Sequence, residues 1–178
     1  QLRILREALP GGPMGASTDT STDQVRRDIA EQLCLNHPEI FIGRFDRPNL
    51  LYRVRRRTHA FKQISEVLER HRGESGIIYC IRRADVDEMT RELAERGYRV
   101  APYHAGMADE ERKKSQNQFI EEEVDIIAAT VAFGMGIDKS NVRYVIHAGM
   151  PKSLEHYQQE SGRAGRDGLE AECFLFYS

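Results

Sequence analysis

Residues 159–168 read Gln159-Glu160-Ser161-Gly162-Arg163-Ala164-Gly165-Arg166-Asp167-Gly168, two arginines three positions apart among three glycines. A guanidinium stays charged at any physiological pH and forks onto phosphate or carboxylate oxygens. Three positions is close to one helical turn, so both groups are expected to point the same way. Glycines before and between them remove side-chain bulk and let a charged ligand come close to the backbone. The chemistry predicted is stabilisation of a phosphate whose charge grows during transfer, with an arginine delivered from one domain to a nucleotide held on another. Such fingers are worth on the order of 10³ to 10⁵ in rate. The bland alternative pairs Arg163 and Arg166 with Asp167 or Glu160 on the surface. An isolated Arg-x-x-Arg deserves that alternative; the full string with its glycines does not.

A second constellation lies upstream, where the apolar run Asp125–Thr130 gives way to Val131-Ala132-Phe133-Gly134-Met135-Gly136-Ile137-Asp138-Lys139. A strand ending at Thr130, followed by Gly134 and Gly136, predicts a tight exposed loop. A threonine hydroxyl and loop amides can hold a nucleic-acid phosphate without reading its base. Thr130 also fits a β-branched residue that simply finishes a strand, and Phe133 and Met135 fit core filling equally well. Arg83 follows the apolar run Gly76–Ile81; it and Arg82 fit either a strand-facing role or an ordinary helix start. His104 stands at a strand-to-loop junction beside Gly106, and no carboxylate spacing nominates it as a base. Arg53, Arg55 and Arg57 share one face of an extended segment, either a phosphate-facing edge or a charged edge that blocks sheet-to-sheet pairing.

These residues need a scaffold, and the chain supplies alternating patterns for one. Phe61, Ile64, Val67, Leu68 and His71 recur at helical spacing, with Gly73 closing the helix. A strand at Gly76–Ile81 follows, then a helix carrying Val86, Met89, Leu93 and Ala94, with Gly97 as its left-handed cap. A strand over Tyr98–Tyr103, a charged helix over Ala108–Glu121 and strands over Asp125–Thr130 and Val142–His147 come next. Ser153 caps a helix to about Ser161, and Glu172–Tyr177 is the last strand. Strands apolar throughout predict a parallel sheet buried on both faces, a three-layer α/β fold over residues 45–178. Residues 1–44 hold too few strands for a domain. An initial helix, a Gly-Gly-Pro break and a helix behind the Ser21/Gln24 capping-box spacing read as the tail of a preceding domain and a linker.

Composition narrows the class further. The 178 residues are 40% hydrophobic and 30% charged, with a formal net charge of −2, a pI near 6.3 and a mean hydropathy of −0.58. No apolar run nears the roughly 18 residues that span a bilayer, and charges within residues 1–10 argue against a signal peptide. With no global basic character, nucleic acid would have to be bound by a local patch. Cys34, Cys80 and Cys173 lack zinc or disulfide spacing, and the last two sit in apolar runs as small core residues.

The Gln159–Gly168 string resembles motif VI of superfamily 2 helicases in its RecQ form, with glutamine where DEAD-box RNA helicases carry histidine. Ala129–Lys139 resembles RecQ motif V, Gly76–Cys80 with Arg83 resembles motif IV, and Tyr103-His104-Ala105-Gly106 resembles the motif after it. Phe45-Asp46-Arg47-Pro48-Asn49-Leu50 is similar to the segment that opens the second motor domain in those proteins. This resemblance implies a RecA-like domain of the P-loop NTPase type, the second motor domain of an ATP-dependent 3′-to-5′ DNA helicase that translocates on single strands and unwinds duplexes in recombination and repair. It implies Arg163 and Arg166 as catalytic fingers, and Gln159, Gly136 and Asp138 beside them against the nucleotide. Arg83, His104 and Thr130 are implied to face nucleic acid. ATP with Mg²⁺ would be held mainly by a first RecA-like domain, the other partner besides DNA, in bacterial cytoplasm or a eukaryotic nucleus and without a membrane. The alternative is a non-catalytic nucleic-acid-binding or docking module that kept the fold.

Two departures stand against the pattern. Ala16–Ser21 aligns with motif III, but Ser17 replaces an apolar residue and Asp19 an alanine, and Arg82 stands where a small polar residue is usual. No Gly-x-x-x-x-Gly-Lys-Ser/Thr loop and no DExH box occurs in the chain, so a fragment cut around the second motor domain, inactive alone, is expected.

Overall fold

A strand that is apolar at every position has to be covered on both sides, and its connections must therefore run over both faces of the sheet. The computed structural model describes residues 14–17, 22–41, 46–131, 133–134 and 137–178. It divides into two units, residues 1–45 and 46–178. In the first, helix α1 (Asp23–Gln32) is capped by Thr22, whose side chain accepts from the Val25 N–H at 3.4 Å. The expected cap, Ser21, lies outside the described residues, as does most of the motif III stretch, and the Gln24 amide donates to Asp28 instead of closing a capping box.

The second unit runs β1 (Leu50–Arg56), α2 (Ala60–Arg70), β2 (Ser75–Tyr79), α3 (Arg83–Glu95), β3 (Val100–Tyr103), α4 (Asp109–Ile120), β4 (Ile126–Ala129), β5 (Val142–His147), α5 (Leu154–Ser161) and β6 (Ala171–Tyr177). All six strands are parallel, in the order β1-β6-β5-β2-β4-β3. The expected parallel α/β sheet is therefore present. Alternate residues of β2 show how it is covered. Ile77 and Tyr79 face a cluster with Phe119 and Phe133, while Ile78 and Cys80 face one with Ile64, Val67, Leu68, Val86 and Leu93. Helices α2 and α3 thus cover one face, and α4 with α5 lies on the other. Gly76 carries no side chain because the Tyr144 ring stands where its Cβ would be.

Element ends differ from the sequence expectation by a residue or two, most at Tyr98 and Arg99. Tyr98 N–H closes α3 on the Leu93 carbonyl at 3.1 Å, with Gly97 left-handed at φ 81° as anticipated. Arg99 pairs with Asp125. Strand β1 forms an edge of the sheet, and its arginine run is engaged within the domain. Arg53 donates to Glu172 at 2.5 Å, Arg55 lies over the Phe174 ring, and Arg57 donates to the Ala148 carbonyl at 3.1 Å. Among the described residues no helix is long and apolar enough to cross a membrane.

Cys80 and Cys173 are buried, as their apolar context predicts, and Cys34 is exposed. Burial pushes both core thiols up, to about 12, because the thiolate loses its hydration. A thiol-reactive disulfide reagent at pH 8 is expected to modify Cys34 in the native chain and Cys80 and Cys173 only after denaturation. Fast modification of all three without denaturant, followed by absorbance, contradicts this packing.

Candidate functional site

Helix α5 carries the approach to the two arginines. Ser153 caps it, accepting from the His156 N–H at 3.2 Å, and the helix ends at Ser161, where Gly162 takes the C-cap. Arg163 and Arg166 therefore do not share a helical turn, contrary to the sequence expectation. Gly165 and Gly168 adopt left-handed backbone, φ 55° and 83°, and the Gly165 N–H bonds to the Val142 carbonyl at 2.8 Å instead of continuing the helix. The result is a compact loop, residues 162–170, leading into β6. Its carbonyls are taken up by side chains from the segment before β1, Arg47 and Asn49.

The bland pairing does not form. Asp167 is held by Arg143, whose Nη2 lies 2.6 and 2.7 Å from its two oxygens, and that hydrogen bond holds the carboxyl below its usual range. Glu160 pairs with His147 Nε2 at 2.8 Å, the two side chains being 7% and 2% exposed. His147 stacks on Tyr79 and meets Tyr157 edge-on, at centroid distances of 5.2 and 4.9 Å.

The arginines meet the loop that follows β4 instead. The guanidinium of Arg163 occupies the space a Cβ at Gly134 would need. Its buried Nε has no hydrogen-bond partner among the described residues. Burial pushes the Tyr79 phenol up, against the pull of the Arg163 charge beside it, and Tyr79 donates to the Phe133 carbonyl at 3.1 Å. Arg166 Nη1 lies 3.3 Å from both the Ile137 carbonyl and Asp138 Oδ1. Asp138 is 94% exposed and Arg166 37%, so this is a loose, solvated contact of about 0–1 kcal/mol. Gln159 is exposed in the last turn of α5, and Gly136 lies outside the described residues.

The other three candidates follow the C-terminal ends of neighbouring strands. Arg83 opens α3 after β2, His104 follows β3 and Thr130 follows β4. A Cβ on Gly106 would stand 3.1 Å from both Arg83 Cδ and His104 Nδ1, and the Thr130 N–H donates to the Tyr103 carbonyl at 3.1 Å. The structure thus gathers all three on one rim. Arg82 is occupied by Asp85 at 2.6 Å, whereas Arg83 has no hydrogen bond or ion pair among the described residues. His104 uses both nitrogens: Nδ1 accepts from the Gly106 N–H at 3.1 Å and Nε2 faces Asp87 at 3.0 Å. That arrangement puts the ring proton on Nε2. Phe133 is core, edge-on to Tyr103 and Phe119, while Met135 lies outside the described residues.

The model of the helicase conserved C-terminal domain matches residues 59–168. The chain belongs to the helicase conserved C-terminal domain family. Within it, the chain is similar throughout to RecQ-type DNA helicases. It is 45% identical over 182 residues to the RecQ-like DNA helicase BLM of Xenopus laevis, covering 100% of this chain and 13% of that protein. It is 42% identical over 177 residues to the ATP-dependent DNA helicase RecQ of Pasteurella multocida, covering 99% and 28%. The chain thus spans less than a third of the length of these relatives. In fold it resembles a DEAD box protein from Methanococcus jannaschii, with a TM-score of 0.68 at 20% identity over 88% of this chain and 43% of the other.

Sequence reasoning missed the partners that hold this helicase domain's loop: His147 for Glu160, Arg143 for Asp167, and Arg47 and Asn49 for its carbonyls. A histidine ending a buried strand was the one visible signal; the others are separated by 24 to 120 residues. Among the described residues no group of three or more His, Cys, Asp or Glu is gathered to hold a metal ion.

The Glu160–His147 pair is expected to anchor the loop. Glu160→Ala leaves the imidazole without its partner and should cost about 1–3 kcal/mol. His147→Phe strands a buried carboxylate and should cost more, about 3–5 kcal/mol. Urea unfolding of the two variants measures both, and near wild-type midpoints would exclude this anchoring.

Proposed function

We propose that residues 46–178 are the second motor domain of an ATP-driven DNA helicase, supplying finger arginines to a nucleotide held by a first motor domain and part of a single-strand track. The observation that carries this reading is one connection. The crossover from β4 to β5 starts at Thr130, beside Arg83 and His104, and reaches Arg163 at Gly134 and Arg166 at Asp138. A phosphate of the strand bound at the rim and a phosphate of the nucleotide would thus touch the same segment at its two ends. The names of the relatives, which include ATP-dependent DNA helicases, support the same assignment. His104, with both ring nitrogens engaged, shapes the turn at Gly106, so Arg83 and the Thr130 hydroxyl are the groups for the strand.

In this mechanism Arg166 rests on Asp138 until the domains close, then exchanges that solvated carboxylate for oxygens of the terminal phosphate. Charge builds on those oxygens as the bond to the leaving phosphate breaks, so the guanidinium helps the transition state more than the ground state. Arg163, confined between Gly134 and Tyr79, has a shorter reach and donates from a fixed slot.

In the full-length protein, Arg166→Ala is expected to lower kcat by about 10³-fold or more while leaving the Kd of a non-hydrolysed ATP analogue close to wild type. Near wild-type turnover, or loss of analogue binding alone, would overturn the finger assignment.

Single-stranded DNA should bind this chain with little base preference and an affinity that falls steeply with salt. Arg83→Ala is expected to reduce the slope of log K against log salt by about 0.7, one single-strand phosphate. Fluorescence anisotropy over a salt series reads this, and an unchanged slope removes Arg83 from the track.

A further inference from the structure

We propose that Arg47 and Asn49 are positioning residues for Arg163 and Arg166, a clamp that holds the arginine loop in shape for catalysis. The inference rests on the finger reading above and adds to it the device that aims the fingers. In the loop at residues 162–170, turned left-handed at Gly165 and Gly168, the Gly165 carbonyl accepts from the Gly168 N–H at 3.0 Å, while those of Gly162, Ala164 and Leu169 take no backbone amide among the described residues and need another donor. Arg47 meets that need with one planar fork: Nη1 donates to the Gly162 carbonyl at 3.3 Å, and Nη2 to those of Ala164 at 2.8 Å and Gly165 at 2.9 Å. Asn49 Nδ2 donates to the carbonyls of Gly165 and Leu169, both at 2.9 Å. These five bonds on four carbonyls bracket both arginines: one carbonyl just before Arg163, the two between it and Arg166, and one beyond.

The clamp is itself fixed. The Leu50 N–H donates to the Arg47 carbonyl at 2.9 Å, closing a turn around Pro48, and the Ala171 N–H donates to the Asn49 carbonyl at 2.9 Å, tying it to the start of β6. The fit is close: a Cβ on Gly165 would lie 2.5 Å from Asn49 Nδ2 and 2.7 Å from the Leu169 carbonyl. Glycine is required there twice over, for its φ and for this approach.

Charge separates an aiming device from ordinary loop packing. Arg47 forms no ion pair among the described residues, and its charge is directed at neutral carbonyl oxygens beside two further guanidiniums. A loop serving stability alone needs hydrogen-bond donors at these carbonyls, which a neutral side chain also supplies, and not a further charge. A loop that must present positive charge to an anion gains orientation and field together.

The test uses Arg47→Lys, which keeps the charge and loses the fork, Asn49→Ala, and Arg166→Ala as the reference. In this chain, hydrogen exchange at the Gly165 and Gly168 amides is expected to speed up in both clamp variants while the Ile77 and Ile78 amides stay protected. In the full-length protein, kcat is expected to fall about 10- to 100-fold, as misplaced catalytic groups do, with KM for ATP and Tm near wild type. Unchanged exchange overturns the clamp. So does near wild-type turnover in both clamp variants beside an inactive Arg166→Ala, or a loss of turnover matched by loss of folded protein. If Arg166→Ala itself turns over normally, the finger reading fails, and exchange alone still decides whether the clamp holds the loop.

Discussion

The sheet of this domain is apolar on both faces, and that constraint organises the rest. Ile77 and Ile78, adjacent in β2, are each fully buried, one under Phe119 and Phe133 and the other under α2 and α3. Because all the strands run parallel, every connection must travel from one rim of the sheet back to the other. Between β4 and β5 that return crosses the face on which Phe133 packs, and Phe133 anchors it there against Tyr103 and Phe119. This crossover is thus also a covering element, with Phe133 and Ile137 both buried in the core beneath it.

Electrostatics then sorts the charged groups of the arginine loop into those that build and those that remain available. Asp167 is consumed by Arg143 on β5, and Glu160 by His147 beneath the loop. With Glu160 and Asp167 committed, the Arg163 Nε has no partner among the described residues and Arg166 keeps a solvent-exposed contact to Asp138. A loose surface pair gives up little when its partner is exchanged, which suits the finger role proposed for Arg166. The same sorting occurs at the rim, where Asp85 takes Arg82 and Arg83 has no hydrogen bond or ion pair among the described residues.

Periodicity alone carried the fold a long way. Runs such as Ile126–Ala129 and Val142–His147 are recognisable because burial on both faces demands apolar side chains at every position, and α5 is announced by Ser153 at its cap. The arginine string was legible because guanidinium groups among glycines have few other uses. Ends of elements were less legible: the Tyr98 amide goes to the end of α3 rather than into β3, a competition between two hydrogen-bond acceptors that spacing does not reveal.

What the sequence by itself determined is therefore the set of parts: parallel apolar strands, a glycine-rich crossover after Thr130, and two arginines near the last strand. Only the tertiary structure decided how those parts meet. It broke the helical turn expected between Arg163 and Arg166, assigned Arg47 and Asn49 to the carbonyls so released, and committed both nitrogens of His104. The physical reason is range. Helix and strand patterns arise from neighbours a few residues apart, whereas the Arg47 and Asn49 bonds span 115 to 120 residues and exist only once the sheet has brought β1 beside β6.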